Sequence, residues 1–287
     1  MTICALSSAS GSSGVAVIRI SGPETKNLIK KLIKKELPRP RMASLLELYN
    51  INTSSLIDEA IVLWFPGPNS YTGEDMAELH VHGSRAIIKS VQNTILDTKK
   101  CRLAEPGEFT KLAFVNGKIN LLKAEAIGDL IAAETQIQID QAQSIIKGKS
   151  FLKFEKIREK LIKILATLEA KIDFPEEDIP ENATKNIKTD VEKIEIDIKK
   201  ILDDNKVGEK IRTGFKIAIV GPPNSGKSSL MNYFSKRDVS IVSEIAGTTR
   251  DVLETHLNFD GFPVIISDTA GIRASKDIIE KEGIKLA

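Results

Sequence analysis

Phe215-Lys216-Ile217-Ala218-Ile219-Val220-Gly221-Pro222-Pro223-Asn224-Ser225-Gly226-Lys227-Ser228-Ser229-Leu230 is the stretch on which the fold of this chain turns. Residues 215–220 are a continuous apolar run broken by Lys216, which predicts a buried strand. Residues 221–228 fit the pattern G-x-x-x-x-G-K-[ST]. The glycines let the backbone curl so that its N–H groups face phosphate oxygens. A helix running from 228 toward 234 adds the partial positive charge of its N-terminus. In this pattern Lys227 reaches the β and γ phosphates, and the Ser228 hydroxyl ligates Mg²⁺.

Downstream, 253–259 and 263–267 read as two more strands, which gives an α/β domain with a partly parallel sheet. Two polar segments flank them. Gly247-Thr248-Thr249-Arg250-Asp251 offers a threonine that can close a magnesium shell. Asp268-Thr269-Ala270-Gly271 follows the run Val264-Ile265-Ile266, where an aspartate can hold Mg²⁺ through water and a glycine N–H can sense a γ-phosphate. The three pieces in this order describe a switch enzyme of the GTPase type. Ile272 stands where many such enzymes place a water-orienting glutamine, and an aliphatic side chain cannot do that work. Glu280, with Asp277 as its rival, is the acidic candidate, and both also read as solvated helix residues. Asn224 reads either as a turn former or as a carbonyl ligand for a monovalent cation beside the phosphates.

Upstream the texture changes twice. Within 118–213, Phe151, Phe154, Ile157, Leu161, Ile164, Leu168 and Ile172 step by three and four, and so do Ile187, Val191, Ile194, Ile198 and Ile201. These spacings predict two amphipathic helices around a turn at 173–180, with lysines and glutamates on solvated faces. Within 1–117 the pattern is α+β: strands over 15–20, 57–65 and 76–82, and helices over 24–35 and 84–96. The division expected is therefore 1–117, 118–213 and 214–287, a multidomain α/β chain. Apolar residues are 41% and charged residues 28% of the 287, and the net charge is +2. That excludes a disordered or collagen-like chain and predicts no strong bulk attraction to nucleic acid or lipid. The two cysteines, Cys4 and Cys101, lack metal-ligand spacing and read as free thiols in the core. The first basic residue is Arg19 and the most apolar short run, 60–65, is strand-sized, so a cytoplasmic protein without a membrane span is expected.

The spellings G-P-P-N-S-G-K-S-S-L, G-T-T-R-D and D-T-A-G resemble the bacterial GTPase group that contains Era, Der and MnmE (also called TrmE). The amino-terminal stretch separates these members. Leu63-Trp64-Phe65-Pro66-Gly67-Pro68-Asn69-Ser70-Tyr71-Thr72-Gly73-Glu74-Asp75, then Glu78-Leu79, His82-Gly83, Pro106-Gly107-Glu108-Phe109-Thr110 and Ala113-Phe114-Val115-Asn116-Gly117-Lys118, is similar to the MnmE amino-terminal domain. Ala124-Glu125-Ala126-Ile127-Gly128-Asp129-Leu130-Ile131 and Ile172-Asp173-Phe174-Pro175-Glu176-Glu177 match as well.

The resemblance implies a homodimeric tRNA-modifying GTPase that works with an FAD-containing MnmG-type protein. Together they place an aminomethyl-type group on C5 of a wobble uridine. The one-carbon unit comes from a reduced folate, 5-formyl- or 5,10-methylenetetrahydrofolate, bound by the first domain. It places Arg19, Glu78 and Lys118 at the folate, Ser228 and Thr249 at Mg²⁺, and Asn224, Ser243, Ile245 and Thr248 at K⁺. Glu280 becomes the catalytic glutamate. Ser225, Gly226, Lys227, Ser229, Glu244, Ala246, Gly247, Asp268, Thr269, Ala270 and Gly271 complete the GTP surroundings. The chain stops at Ala287, before the family's guanine-reading N-K-x-D motif and its carboxy-terminal helices, so a G domain cut short is expected. A ribosome-assembly GTPase of the Era or Der type, and a folate-binding dimerisation module without turnover, are the competing readings.

Overall fold

Alternation builds the first sheet. In Ala16-Val17-Ile18-Arg19-Ile20 every second side chain, at 16, 18 and 20, is buried, and Val17 and Arg19 look to the opposite face. The computed structural model describes residues 1–9, 11–173, 186–203, 206–221, 225–236, 240–241 and 254–268. They fall into two compact units, Met1–Ala124 and Glu125–Ala287.

The first unit is a six-stranded sheet with helices. Its elements are β1 (Thr2–Leu6), β2 (Ser13–Ser21), α1 (Thr25–Ile33), β3 (Ser44–Tyr49), β4 (Leu56–Phe65), β5 (Met76–Gly83), α2 (Arg85–Leu96), β6 (Cys101–Leu103) and α3 (Glu108–Val115). The strand order is β3-β4-β5-β2-β1-β6, antiparallel throughout except for the parallel pair β1/β6. Leu28, Ile29, Leu32 and Ile33 of α1 and Ile88, Val91 and Ile95 of α2 pack in one core with Ile18, Ile20, Val62, Trp64 and Leu79 of the sheet. Each such side chain contributes roughly 1.5–3 kcal/mol by leaving water. Cys4 and Cys101 are both free and both buried in this core. A shared hydrogen bond with Cys4, and then burial, push the Cys101 thiol up from its ordinary range.

The expected strands and helices of this unit are present, but α1 stops at Ile33 because Lys34 turns left-handed at φ 52°. Three strands were not expected. β1 is buried at its first three residues regardless of face, so it shows no period of two. β3 carries the exposed Leu45 beside Leu46, which blurs its alternation, and β6 is three residues long.

One glycine fixes the turn after β2. Gly22 has φ +132°, and a Cβ there would sit 2.6 Å from the Thr2 Cα and 2.8 Å from its Oγ1. The same Thr2 hydroxyl accepts a hydrogen bond from the Glu24 N–H at 2.9 Å. Gly22→Ala therefore meets backbone that cannot yield, and it is expected to lower stability by about 3 kcal/mol, from overpacking and left-handed strain together. Trp64, the single tryptophan and buried in this sheet, reports the urea midpoint that checks it. An unchanged midpoint would contradict the packing argument.

The second unit begins within α4 (Leu121–Ala132) and continues with α5 (Gln136–Ile146), α6 (Lys149–Asp173), α7 (Ile187–Leu202) and α8 (Val207–Thr213). Thr135 and Gln138 form a reciprocal capping box at the start of α5. The two predicted amphipathic helices are α6 and α7. α6 buries none of its residues and α7 only Ile194. Of the predicted turn between them at 173–180, Asp173 is the last residue of α6, and 174–180 lie outside the described residues. Then follow β7 (Phe215–Ile219), α9 (Lys227–Lys236), β8 (Ser240–Ile241), β9 (Glu254–Phe259) and β10 (Phe262–Asp268), in a sheet ordered β7-β10-β9-β8. β7 and β10 are parallel, and the other neighbours are antiparallel. Leu257, Val264 and Ile266 form its core with Phe215, Ile219 and Phe234. The chain is thus mixed α/β as expected, and among the described residues no helix is long and apolar enough to cross a membrane.

Candidate functional site

The glycine-rich segment lies between β7 and α9, as a phosphate loop requires. Lys227 opens α9, and its ammonium group donates to the Gly221 carbonyl at 2.8 Å, so the lysine folds back over the start of the loop. Gly226 has φ +90° with open space around it, so backbone conformation is what demands glycine there. A Cβ on Gly221 would fall 2.9 Å from the Ser225 Oγ. Asp268 ends β10, and its backbone pairs with Ile219 at the end of the parallel β7. Position 268 and the loop therefore leave the same edge of the sheet, at the carboxyl ends of two parallel strands, where α/β sheets bind ligands. An ammonium, a helix N-terminus of ten residues and a carboxylate position suit a magnesium-bound phosphate chain.

The structure also describes Ser225, Gly226 and Ser229 and the backbones of Ser228 and Asp268. Asn224, Ser243, Glu244, Ile245, Ala246, Gly247, Thr248, Thr249, Thr269, Ala270, Gly271 and Glu280 lie outside the described residues, as do Ile272 and Asp277.

The second cluster is in the first unit. β2 and β5 pair Arg19 directly with Glu78. Arg19 donates from Nε and Nη2 to Glu78 Oε1 at 3.0 and 2.7 Å. The guanidinium lies 5.7 Å from the Tyr71 ring centre and 5.6 Å from that of Phe109, within cation–π range of both. Lys118 does not touch this pair. Its ammonium donates to the Pro68 carbonyl at 2.8 Å. Asn116 donates to the Thr72 carbonyl at 2.7 Å, and the Tyr71 hydroxyl shares a 2.9 Å hydrogen bond with Thr110. The 66–75 loop touches two of the three predicted residues, Arg19 through Tyr71 and Lys118 through Pro68, and Glu78 joins Arg19 across the sheet. The start of α3, which carries Phe109, is fixed by Glu108. That carboxylate pairs with Arg102, whose hydrogen bonds hold it at about 2, and it also accepts the Glu105 N–H at 2.8 Å. Tyr71 and Phe109 were not singled out from the sequence, although both stand inside the motifs quoted for it. Two aromatic rings beside an arginine–carboxylate pair suit a flat heteroaromatic ring with amide-like edges.

Comparison with known proteins gives the family. A family model described as "GTP-binding protein TrmE N-terminus" matches residues 2–118, and one described as "MnmE helical domain" matches residues 121–284. The chain is similar over all of its 287 residues to the tRNA modification GTPase MnmE of Pelagibacter ubique (strain HTCC1062), at 65% identity. It is 49% identical over its whole length to the proteins of that name from Rickettsia akari (strain Hartford) and Rickettsia typhi (strain ATCC VR-144 / Wilmington). It spans 65% of the length of the first of these relatives and 64% of the other two. The phosphate loop would fit many GTPases, but the matches to the amino-terminal and helical models on either side of the division near residue 120 do not, and on them the chain belongs to the MnmE (TrmE) family.

Proposed function

We propose that this chain provides the folate-binding and guanine-nucleotide parts of a tRNA-modifying GTPase. The observation that carries the reading is the lysine-closed loop at the edge where position 268 also emerges. The boundaries proposed are 1–117 for reduced-folate binding and homodimerisation, 118–213 for the helical part and 214–287 for the G domain. In the reaction proposed, an FAD-containing MnmG-type partner and this protein modify C5 of a wobble uridine in tRNA, with the carbon drawn from 5-formyl- or 5,10-methylenetetrahydrofolate.

Lys227, whose ammonium donates to the Gly221 carbonyl, is proposed to exchange it for a phosphate oxygen. Ser228 and Thr249 are proposed to hold Mg²⁺, and Asn224, Ser243, Ile245 and Thr248 to hold K⁺. A bound magnesium ion supplies charge neutralisation between the β and γ phosphates. Glu280 is proposed to orient water in place of Ile272.

At the other cluster, Arg19 and Glu78 present donors and an acceptor to a pterin ring that Tyr71 and Phe109 flank, and Lys118 faces the folate's own carboxylates. Loss of one charge-assisted contact costs about 1.5–3 kcal/mol. Arg19→Ala in the full chain is therefore expected to weaken 5-formyltetrahydrofolate binding roughly tenfold or more. Calorimetric titration checks this, and equal affinities would remove Arg19 from the site. Binding of folate at all separates this reading from an Era- or Der-type GTPase, and GTP turnover separates it from a folate-binding module without activity.

A further inference from the structure

The sheet that carries the phosphate loop is covered on one face by α9, whose Phe234 joins Leu257, Val264 and Ile266. At the β9–β10 hairpin it meets α5, a helix for which the phosphate chemistry has no use. His256 of β9 meets Glu134, just before α5, with Nδ1 2.9 Å from Oε2. The two side chains are a quarter exposed, so the pair is partly sheltered from water. Gly261, in the turn between β9 and β10, has φ +89°, and a Cβ there would lie 3.2 Å from the Ile137 Cδ1 of α5. The same helix holds α8: Gln138 donates to the Arg212 carbonyl at 3.3 Å and Gln141 to the Gly208 carbonyl at 3.0 Å. α8 runs through Gly214 straight into β7.

α5 thus grips the starting ends of both parallel strands, β7 through α8 and β10 through the hairpin turn. Their finishing ends carry the phosphate loop and Asp268. Each strand is five to seven residues of paired backbone, a stiff rod of roughly 17–24 Å. β9 begins directly after 242–253, which includes the Thr248-Thr249 segment. A change at the phosphate edge has a short, hydrogen-bonded route to α5 and from there to α6, which packs against it.

We propose that α5, through the Glu134–His256 pair and the Ile137–Gly261 contact, positions β9 and β10 against the nucleotide and transmits its occupancy to the helical segment. The proposal rests on the nucleotide reading above. The test is hydrogen–deuterium exchange of the full chain with and without Mg²⁺ and the β,γ-imido analogue of GTP, in wild type, Glu134→Ala, His256→Ala and Glu134→Gln. Coupling between sites is usually a factor of about five or more. In wild type the analogue is expected to slow exchange at 225–236 and, by about fivefold or more, at 136–146. In Glu134→Ala and His256→Ala the first effect stays and the second falls to within error, and Glu134→Gln, which keeps a hydrogen-bonding oxygen, restores it. A merely structural pair would change basal exchange alone and leave the nucleotide-dependent ratio at 136–146 intact, which overturns the proposal. If 225–236 is not protected in wild type, the nucleotide reading itself falls and the proposal falls with it.

Discussion

Lys227→Ala is expected to reduce affinity for Mg²⁺-bound guanine nucleotide by roughly 10²-fold or more, the sum of two charge-assisted contacts at about 1.5–3 kcal/mol each. The structure gives the reason that the loss should be specific. The ammonium already lies on the loop, 2.8 Å from the Gly221 carbonyl, so its removal takes that hydrogen bond to a neutral carbonyl from the fold and both phosphate contacts from the complex. Fluorescence titration with a methylanthraniloyl-labelled nucleotide measures it, and circular dichroism confirms that the variant is folded. Affinity within twofold of wild type would take Lys227 out of the phosphate site.

The second large effect lies in the transition state. Phosphoryl transfer depends on placed charge and a placed water. Ile272 can orient no water, and Glu280 is the residue proposed for it. Glu280→Ala should cut GTP turnover in potassium buffer by roughly 10³-fold or more while nucleotide affinity stays near wild type. The measurement belongs on the protein carried to the relatives' length, since this chain spans about 65% of theirs. Turnover at the wild-type rate would return Glu280 to the reading as a solvated helix residue.

The features legible in the sequence are those written in local periodicity. Glu78, His80 and His82 alternate with Leu79 and Val81, and β5 follows from that alternation. The steps of three and four along 151–172 and 187–201 are α6 and α7, and the glycine-rich loop declares itself by spelling and by its place after an apolar run. β1 and β6 escaped because one is buried on both faces and the other is a short edge strand, paired across about a hundred residues of chain. The aromatic flanks of Arg19 escaped for a related reason. Tyr71 sits in a loop and Phe109 on α3, and no spacing relates either to residue 19 until the sheet and loop have closed. The Glu134–His256 pair spans 122 positions, so nothing in either neighbourhood announces the other.

The burial of both cysteines has a consequence for how this protein ages. A thiol reacts as its thiolate and only where a reagent can reach it. Cys4 and Cys101 are 0% and 4% exposed, and Cys101 is also held protonated by its neighbour. Oxidation and alkylation at these two positions must wait for β1 and β6 to part. Chemical modification then runs as a clock of that opening, with Cys101 on the three-residue edge strand uncovered before Cys4. The intact sheet protects its thiols by architecture and needs no disulfide to do so.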